Sequence, residues 1–386
     1  MSDNIDDKYK DAVKIINNAG PGPFPITDKL LGMLNALVDI LKHLLKDDEV
    51  DFIFAFKRKT SQTLEQLKQS SKLSEEEILE KINILSKKCV ISDLPNRYGV
   101  MVYRLLPFVR IFELSFMRDL EPSDYNKKLA DLFAKAFNEL DAFFQEYYDF
   151  MIQMTQNLPP ITRTLPILIN RKTQKDIEIN INKDLEVPVE QILPTQKVEE
   201  IIAKFDDIAV GNCYCRHHKD LLNDPCKIDA PRKNCLTFGK AARNTSNHGF
   251  ARLISKDEAL AILQEAEDAG LIHRTWHVKF DINNDVISIC NCCICCCVYS
   301  GPNLIMPHTS ANNYLAKVNQ DICNGCDICV EKCHYDAIQL NDDRKAEIKK
   351  EYCIGCGLCA SFCPEGAISL LEGPRIVKIP VPRRNY

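Results

Sequence analysis

"CNGCDICVEKC", residues 323–333, returns thirty residues later as "CIGCGLCASFC", residues 353–363. Each copy spaces its cysteines as C-x2-C-x2-C-x3-C, and the flanks keep step: Ala337-Ile338 matches Ala367-Ile368, and Lys317-Val318 matches Glu347-Ile348. This spacing ligates cubane iron–sulfur clusters, with the fourth thiolate supplied by the other copy. Three thiolates at short, regular intervals converge when the chain curls around a cluster and turns backbone N–H groups toward the sulfides. The expected ligand sets are Cys323, Cys326, Cys329 and Cys363 for one [4Fe–4S] cluster, and Cys353, Cys356, Cys359 and Cys333 for the other. Two clusters held close together carry single electrons.

Over roughly residues 312 to 372 the chain resembles the bacterial two-cluster ferredoxins. That resemblance implies a ferredoxin fold acting as an electron relay without a substrate pocket of its own. One residue departs from the family pattern: His334 stands where proline usually follows the last cysteine, whereas Pro364 is regular. Histidine there either tunes a cluster by hydrogen bonding or charge, or is a tolerated surface residue.

Upstream, ten more cysteines gather: Cys213, Cys215, Cys226, Cys235, and Cys290, Cys292, Cys293, Cys295, Cys296 and Cys297 of "CNCCICCC". Zinc sites usually pair one C-x2-C knuckle with a matching one, and neither Cys213 with Cys215 nor Cys226 with Cys235 supplies such a partner for the stretch. Read as an extended strand, the stretch points Cys290, Cys292 and Cys296 to one face and Cys293, Cys295 and Cys297 to the other. These thiols suffice for one or two further iron–sulfur clusters, with zinc as the alternative. Arg216, His217 and His218 follow Cys215. As cations they would favour the reduced state of a nearby cluster; otherwise they are solvated. His273 and His277, flanking Trp276, read as structural.

The succession "CYCRHH", "SKDEALAILQEAEDAGLIH", "CNCCICCC" and the tandem repeat resembles a family of multi-domain [4Fe–4S] proteins of anaerobic archaea and bacteria, from about Ile192 to Leu371. The resemblance implies iron–sulfur electron transfer and says little about substrate. Only Arg216 of the three cations belongs to the family pattern.

The rest of the chain narrows the class. Of nineteen cysteines in 386 residues, only Cys89 lies before Cys213, and the acidic start "MSDNIDDKYK" is no signal peptide. A secreted disulfide scaffold is therefore disfavoured, and Cys89 reads as a small core residue. A net charge of −5 gives no reason to expect nucleic acid or acidic lipid as a partner. No apolar run suits a membrane span.

The expected architecture is α+β and multi-domain. Residues 1–27 read as a flexible tail and 28–150 as a helical docking region. Within the latter, helices "VDFIFAFKRK", "SQTLEQLKQ" and "SEEEILEKINILSKK" precede the hairpin "VISDLPNRYGVMVYRLL", an order that resembles a winged helix. Its third helix opens on a Ser74–Glu77 capping box, and Asp124–Phe150 reads as one amphipathic helix. Residues 151–205 form a connector, 206–310 a cysteine-rich module, and 311–386 the ferredoxin domain.

Glu75, Glu76 and Glu77 open the helix that would face DNA, a repulsive arrangement that "KRK" at 57–59, Arg97 and Arg104 only partly offset. The function expected is a cytoplasmic electron carrier, a subunit of an anaerobic redox complex between a donor and an acceptor protein. The alternatives are a redox enzyme with a catalytic middle cluster and, disfavoured by charge, an iron–sulfur DNA-binding regulator. Neither carries a G-x-G-x-x-G or P-loop fingerprint.

Overall fold

The computed structural model describes residues 2–20, 31–96, 98–155, 158–181, 197–278, 281–300, 303–304, 307–380 and 383. The chain divides into two compact units. Residues 1–146, 214–225 and 242–252 make the first, and 147–213, 226–241 and 253–386 the second. Residues 206–310 thus contribute to both. Among the described residues no helix is long and apolar enough to cross a membrane.

The first unit is mainly helical. Its start corrects an expectation: residues 2–17 form a helix rather than a flexible tail. Tyr9, Ala12, Val13 and Ile16 recur at helical spacing and are buried, which ties the segment down. The rest of that expected tail, 21–27, lies outside the described residues.

From residue 47 the order is helix Asp47–Ile53, strand β1 (Ser61–Gln62), helices Leu64–Ser71 and Glu75–Lys87, then strands β2 (Ile91–Pro95) and β3 (Met101–Leu105). The three strands form an antiparallel sheet in the order β1-β3-β2. The capping box forms as the sequence requires: Ser74 N donates to Glu77 Oε2 at 2.8 Å, and Glu77 N to Ser74 Oγ at 3.3 Å. Cys89 closes this helix in the left-handed region, φ 64°, and is fully buried. Arg118 Nη2 donates to its sulfur at 2.6 Å.

The long amphipathic helix ends at Glu146, and a separate helix runs from Tyr148 to Thr155. Phe144 is buried in the first helix and Met151 in the second, whereas Phe150 is exposed.

The second unit is built on a mixed sheet. Its strands are β4 (Thr162–Leu165), β5 (Ile179–Ile181), β6 (Ile208–Asn212), β7 (Lys233–Phe238), β8 (Ile272–His277), β9 (Val286–Cys292), β10 (His308–Val318) and β11 (Ile368–Ile379). An edge strand, Arg252–Ile254, lies beside β6, and from there the order is β6-β7-β9-β8-β4-β10-β11-β5. The β4–β10 and β11–β5 pairs are parallel, and the β6–β7, β7–β9, β9–β8, β8–β4 and β10–β11 pairs are antiparallel.

Strands β10 and β11 bracket the cysteine repeat, so the repeat shares one sheet with the strand that carries Cys290 and Cys292. On one sheet face Leu165, Val210, Leu236 and Ile289 join Ala259 and Leu263 of helix Lys256–Asp268 in an apolar core. The alternation of strands sends Cys290, Cys292 and Arg274 to the other face.

Candidate metal centres

The repeat folds as two matching loops. Each loop carries a left-handed glycine after its first cysteine, Gly325 at φ 72° and Gly355 at φ 67°. A Cβ on Gly325 would lie 2.1 Å from Arg344 O, and one on Gly355 would lie 2.2 Å from Tyr314 O, so no other residue fits either turn. Each loop then enters a short helix, Ile328–Glu331 or Leu358–Phe362. The symmetry extends to sulfur: Ala337 N donates to Cys333 Sγ, and Ala367 N to Cys363 Sγ, both at 3.3 Å.

Cys323, Cys326, Cys329 and Cys363 line one cavity, partly open to solvent. Burial, then the neighbouring Cys363, Cys323 and Cys326, push the Cys329 thiol up to about 11. In the second set, burial first, then Cys333 and Cys353, push Cys356 up to about 12; Cys359 is raised further by burial and by Cys356, Cys353 and Cys333. Thiols gathered this closely ionise together only where a cation compensates them, so the donor set fits metal. Cys326 is exposed, whereas Cys353 and Cys359 are buried, so the first set opens to the surface and the second does not.

The "CNCCICCC" stretch departs from the expected alternation. Strand β9 ends at Cys292, and the chain turns through residues 294–296. The turn exchanges the last two groupings. Cys293, Cys295 and Cys296 gather with Cys226, while Cys297 returns to Cys290 and Cys292. Hydrogen bonds to Cys290 and Cys297, then burial, raise the Cys292 thiol well above its usual range.

Arg274 stands on the same face, paired across β8 and β9 with Cys290. It is fully buried; its Nη1 donates to Tyr299 O at 2.6 Å and its Nη2 to the Tyr335 hydroxyl. Burial opposes its charge, but Tyr335 and the thiols of Cys292, Cys297 and Cys290 outweigh it and raise the guanidinium pKa above its usual value. Arg274 and Tyr335 were missed from the sequence. The available signal was an arginine inside the buried β-rich stretch "LIHRTWH".

The register Ser288↔Thr237 and Ile289↔Leu236, continued by one residue, sets Cys235 beside Cys290. Across β7, Cys235 faces Gly211, which leaves space on that side. Cys213, with its N–H on Arg232 O at 2.6 Å, follows β6 in the second unit. Cys215 is buried in helix Tyr214–Leu221 of the first unit.

The histidines and Arg216 resolve as follows. Arg216 is fully buried, not solvated. His218 is buried against Phe112, Phe116 and Phe137, and its Nε2 donates to Ala130 O at 2.9 Å. Burial pulls its pKa down to about 4, so it is no cation at neutral pH. His217 Nδ1 lies 2.9 Å from Phe116 O.

His273 sits between Asn291 Oδ1, at 2.6 Å, and Glu267 Oε1, at 3.1 Å. His277 Nδ1 donates to Asn284 O at 2.8 Å. Both are buried structural groups, as their sequence context implied. His334 is not a surface residue. It is buried, its Nδ1 has no hydrogen-bond partner, and burial lowers its pKa to about 4 despite the nearby Cys297.

A family model described as a 4Fe-4S dicluster domain matches residues 316–370. A protein named probable ferredoxin from Methanosarcina thermophila is 53% identical over 34 residues, covering 9% of this chain and 59% of that protein. The chain therefore spans about three fifths of that relative's length. No solved structure matches the chain significantly.

Proposed function

We propose, from the premise that residues 316–370 are a 4Fe-4S dicluster domain, that this chain relays single electrons between a surface partner and a metal centre in its own middle region. Cys323, Cys326, Cys329 and Cys363 would hold one [4Fe–4S] cluster, and Cys353, Cys356, Cys359 and Cys333 the other. Bound clusters of this type supply one-electron chemistry whose potential is set by charge, hydrogen bonds and exposure. The third centre would be held by Cys290, Cys292 and Cys297, with Cys235 beside them.

One observation carries the direction of the relay. Cys333 is followed in the chain by His334 and Tyr335, and both lie in the electrostatic field of Cys297 and Arg274. A ligand of the buried ferredoxin set is thus two covalent steps from groups that face the middle thiols. The opposite end is the exposed Cys326, with Ile322 exposed nearby, where a redox partner can dock. We extend the proposal to membership of a larger anaerobic redox complex, in which a donor or acceptor protein docks at the exposed Cys326 end.

The strand and helix order of residues 47–105 supports a winged-helix reading of the first unit, and its charge favours a protein partner over DNA. Lys68 pairs with Glu75 and Glu65, and Lys81 with Asp48 at 3.1 Å. These pairs take basic groups away from any phosphate contact. Lys57, Arg58 and Lys59 remain exposed, and Arg97 lies outside the described residues.

A second reading, a redox enzyme acting at the middle centre, draws on the buried, unpartnered His334 Nδ1.

The test is anaerobic purification followed by iron and sulfide analysis and stepwise reduction watched by electron paramagnetic resonance. The relay requires at least about 8 irons per chain, the load of two cubanes, and reversible reduction with spin coupling between centres. Fewer irons, or clusters that never accept an electron, would end it.

A further inference from the structure

The thiols of Cys226, Cys293, Cys295 and Cys296 all lie within 4.8 Å of one another. Cys226 Sγ is 3.8 Å from Cys293 Sγ and 3.5 Å from Cys295 Sγ, and Cys295 and Cys296 are 3.7 Å apart. Four thiolates bound to one tetrahedral ion at about 2.3 Å would place their sulfurs about 3.8 Å from each other. A cubane demands something else, because each thiolate caps a different iron and the cluster body holds the sulfurs apart. The Cys323 set lines a cavity in that manner. The Cys226 set closes on itself, leaving room for a single ion.

Two local features point the same way. The backbone N–H groups of Ile228 and Ala230 are hydrogen-bonded to Cys226 Sγ and hold that sulfur toward the other three. The 294–296 turn brings three donors to one point from a four-residue stretch, and Asn303 Nδ2 steadies it by donating to Cys295 O at 2.8 Å.

We propose that Cys226, Cys293, Cys295 and Cys296 bind one zinc ion in a closed tetrahedral thiolate site. It is distinct from the electron-carrying centres and does not depend on them. All four positions are filled by protein, which is the pattern of a structural site rather than a catalytic one. The ion ties the loop around Cys226 to the turn after β9 and so fixes the return of Cys297 toward Cys290 and Cys292. Metal binding here involves no redox step: four thiols release protons as the ion enters.

Zinc absorption spectroscopy on the full-length, anaerobically purified protein tests this without any substitution. The expected result is about one zinc per chain with four sulfur neighbours at about 2.3 Å. A Cys226→Ser variant should then lose most of its zinc while retaining its iron. Three results would overturn the proposal: no zinc in the wild-type protein, a single iron ion at this site, or the loss of about four irons in Cys226→Ser. Iron content in the wild-type protein tests the ferredoxin reading separately, so the two can fail independently.

Discussion

Arg274 and Cys290 stand directly opposite each other across two antiparallel strands, on the sheet face turned away from the apolar core. A buried guanidinium needs nearby negative charge, and the thiolates of a metal centre supply it. The positive charge of the guanidinium would in turn stabilise the reduced form of the proposed centre over the oxidised one. Arg274→Gln should therefore lower the potential of the centre near Cys290, Cys292 and Cys297, by on the order of tens of millivolts. Arg274→Lys should restore much of it. Potentiometric titration read by electron paramagnetic resonance decides; identical potentials in Gln and Lys variants would refute the charge argument.

Gly355→Ala should empty the second ferredoxin site selectively. The left-handed conformation alone costs about 1–2 kcal/mol for a residue with a Cβ, and here the Cβ would meet the Tyr314 carbonyl. Loss of about half the ferredoxin iron is expected. Gly366→Ala is the control, since it shares a positive φ of 64° but has nothing within 4 Å. Equal iron in the two variants would contradict the steric explanation.

His218 makes the first unit sensitive to acid. Its folded pKa of about 4 lies below the usual 6.5, so between these values the unfolded chain binds the extra proton. Stability is accordingly full above about pH 6.5 and falls as pH drops toward 4, by on the order of 3 kcal/mol at the limit. Protection factors from hydrogen exchange across residues 108–146, each referred to the intrinsic rate at its pH, should fall over that window in the native protein. His218→Phe, which keeps a ring among the phenylalanines, should flatten the profile; an unchanged profile would acquit His218.

Ser74→Ala removes one half of the capping box. A loss of about 1 kcal/mol is expected, confined to protection of helix Glu75–Lys87 and its neighbours in hydrogen exchange. A variant as stable as the parent would show that Glu77, Glu75 and Glu76 support the helix start through its dipole alone.

The regular parts of the fold were open to reading from the chain. The cysteine repeat and the Ser74 cap rest on interactions within a few residues, so local pattern suffices, whereas strand β1, which interrupts the expected run of helices, depends on its pairing with β3. Two features were hidden. Grouping of the "CNCCICCC" thiols depends on where β9 stops, and consecutive cysteines do not mark a change from strand to turn. The role of Arg274 depends on cross-strand register, which joins residues far apart in sequence. Helix 2–17 was missed for a different reason: its apolar positions are few and its ends are polar, so composition suggested a solvated tail.

The pairing of β4 with β10 and of β5 with β11 sets a schedule for synthesis on the ribosome. Ile179 waits for Leu370, roughly 190 residues later, an interval of about 10–40 s at 5–20 residues per second. During that time the densest group of thiols has left the tunnel while strands on which its sheet depends are still being translated. Metal delivered early would meet an unfinished scaffold. The sheet that carries those thiols is therefore complete only once strand β11 has been made, well after the thiols themselves.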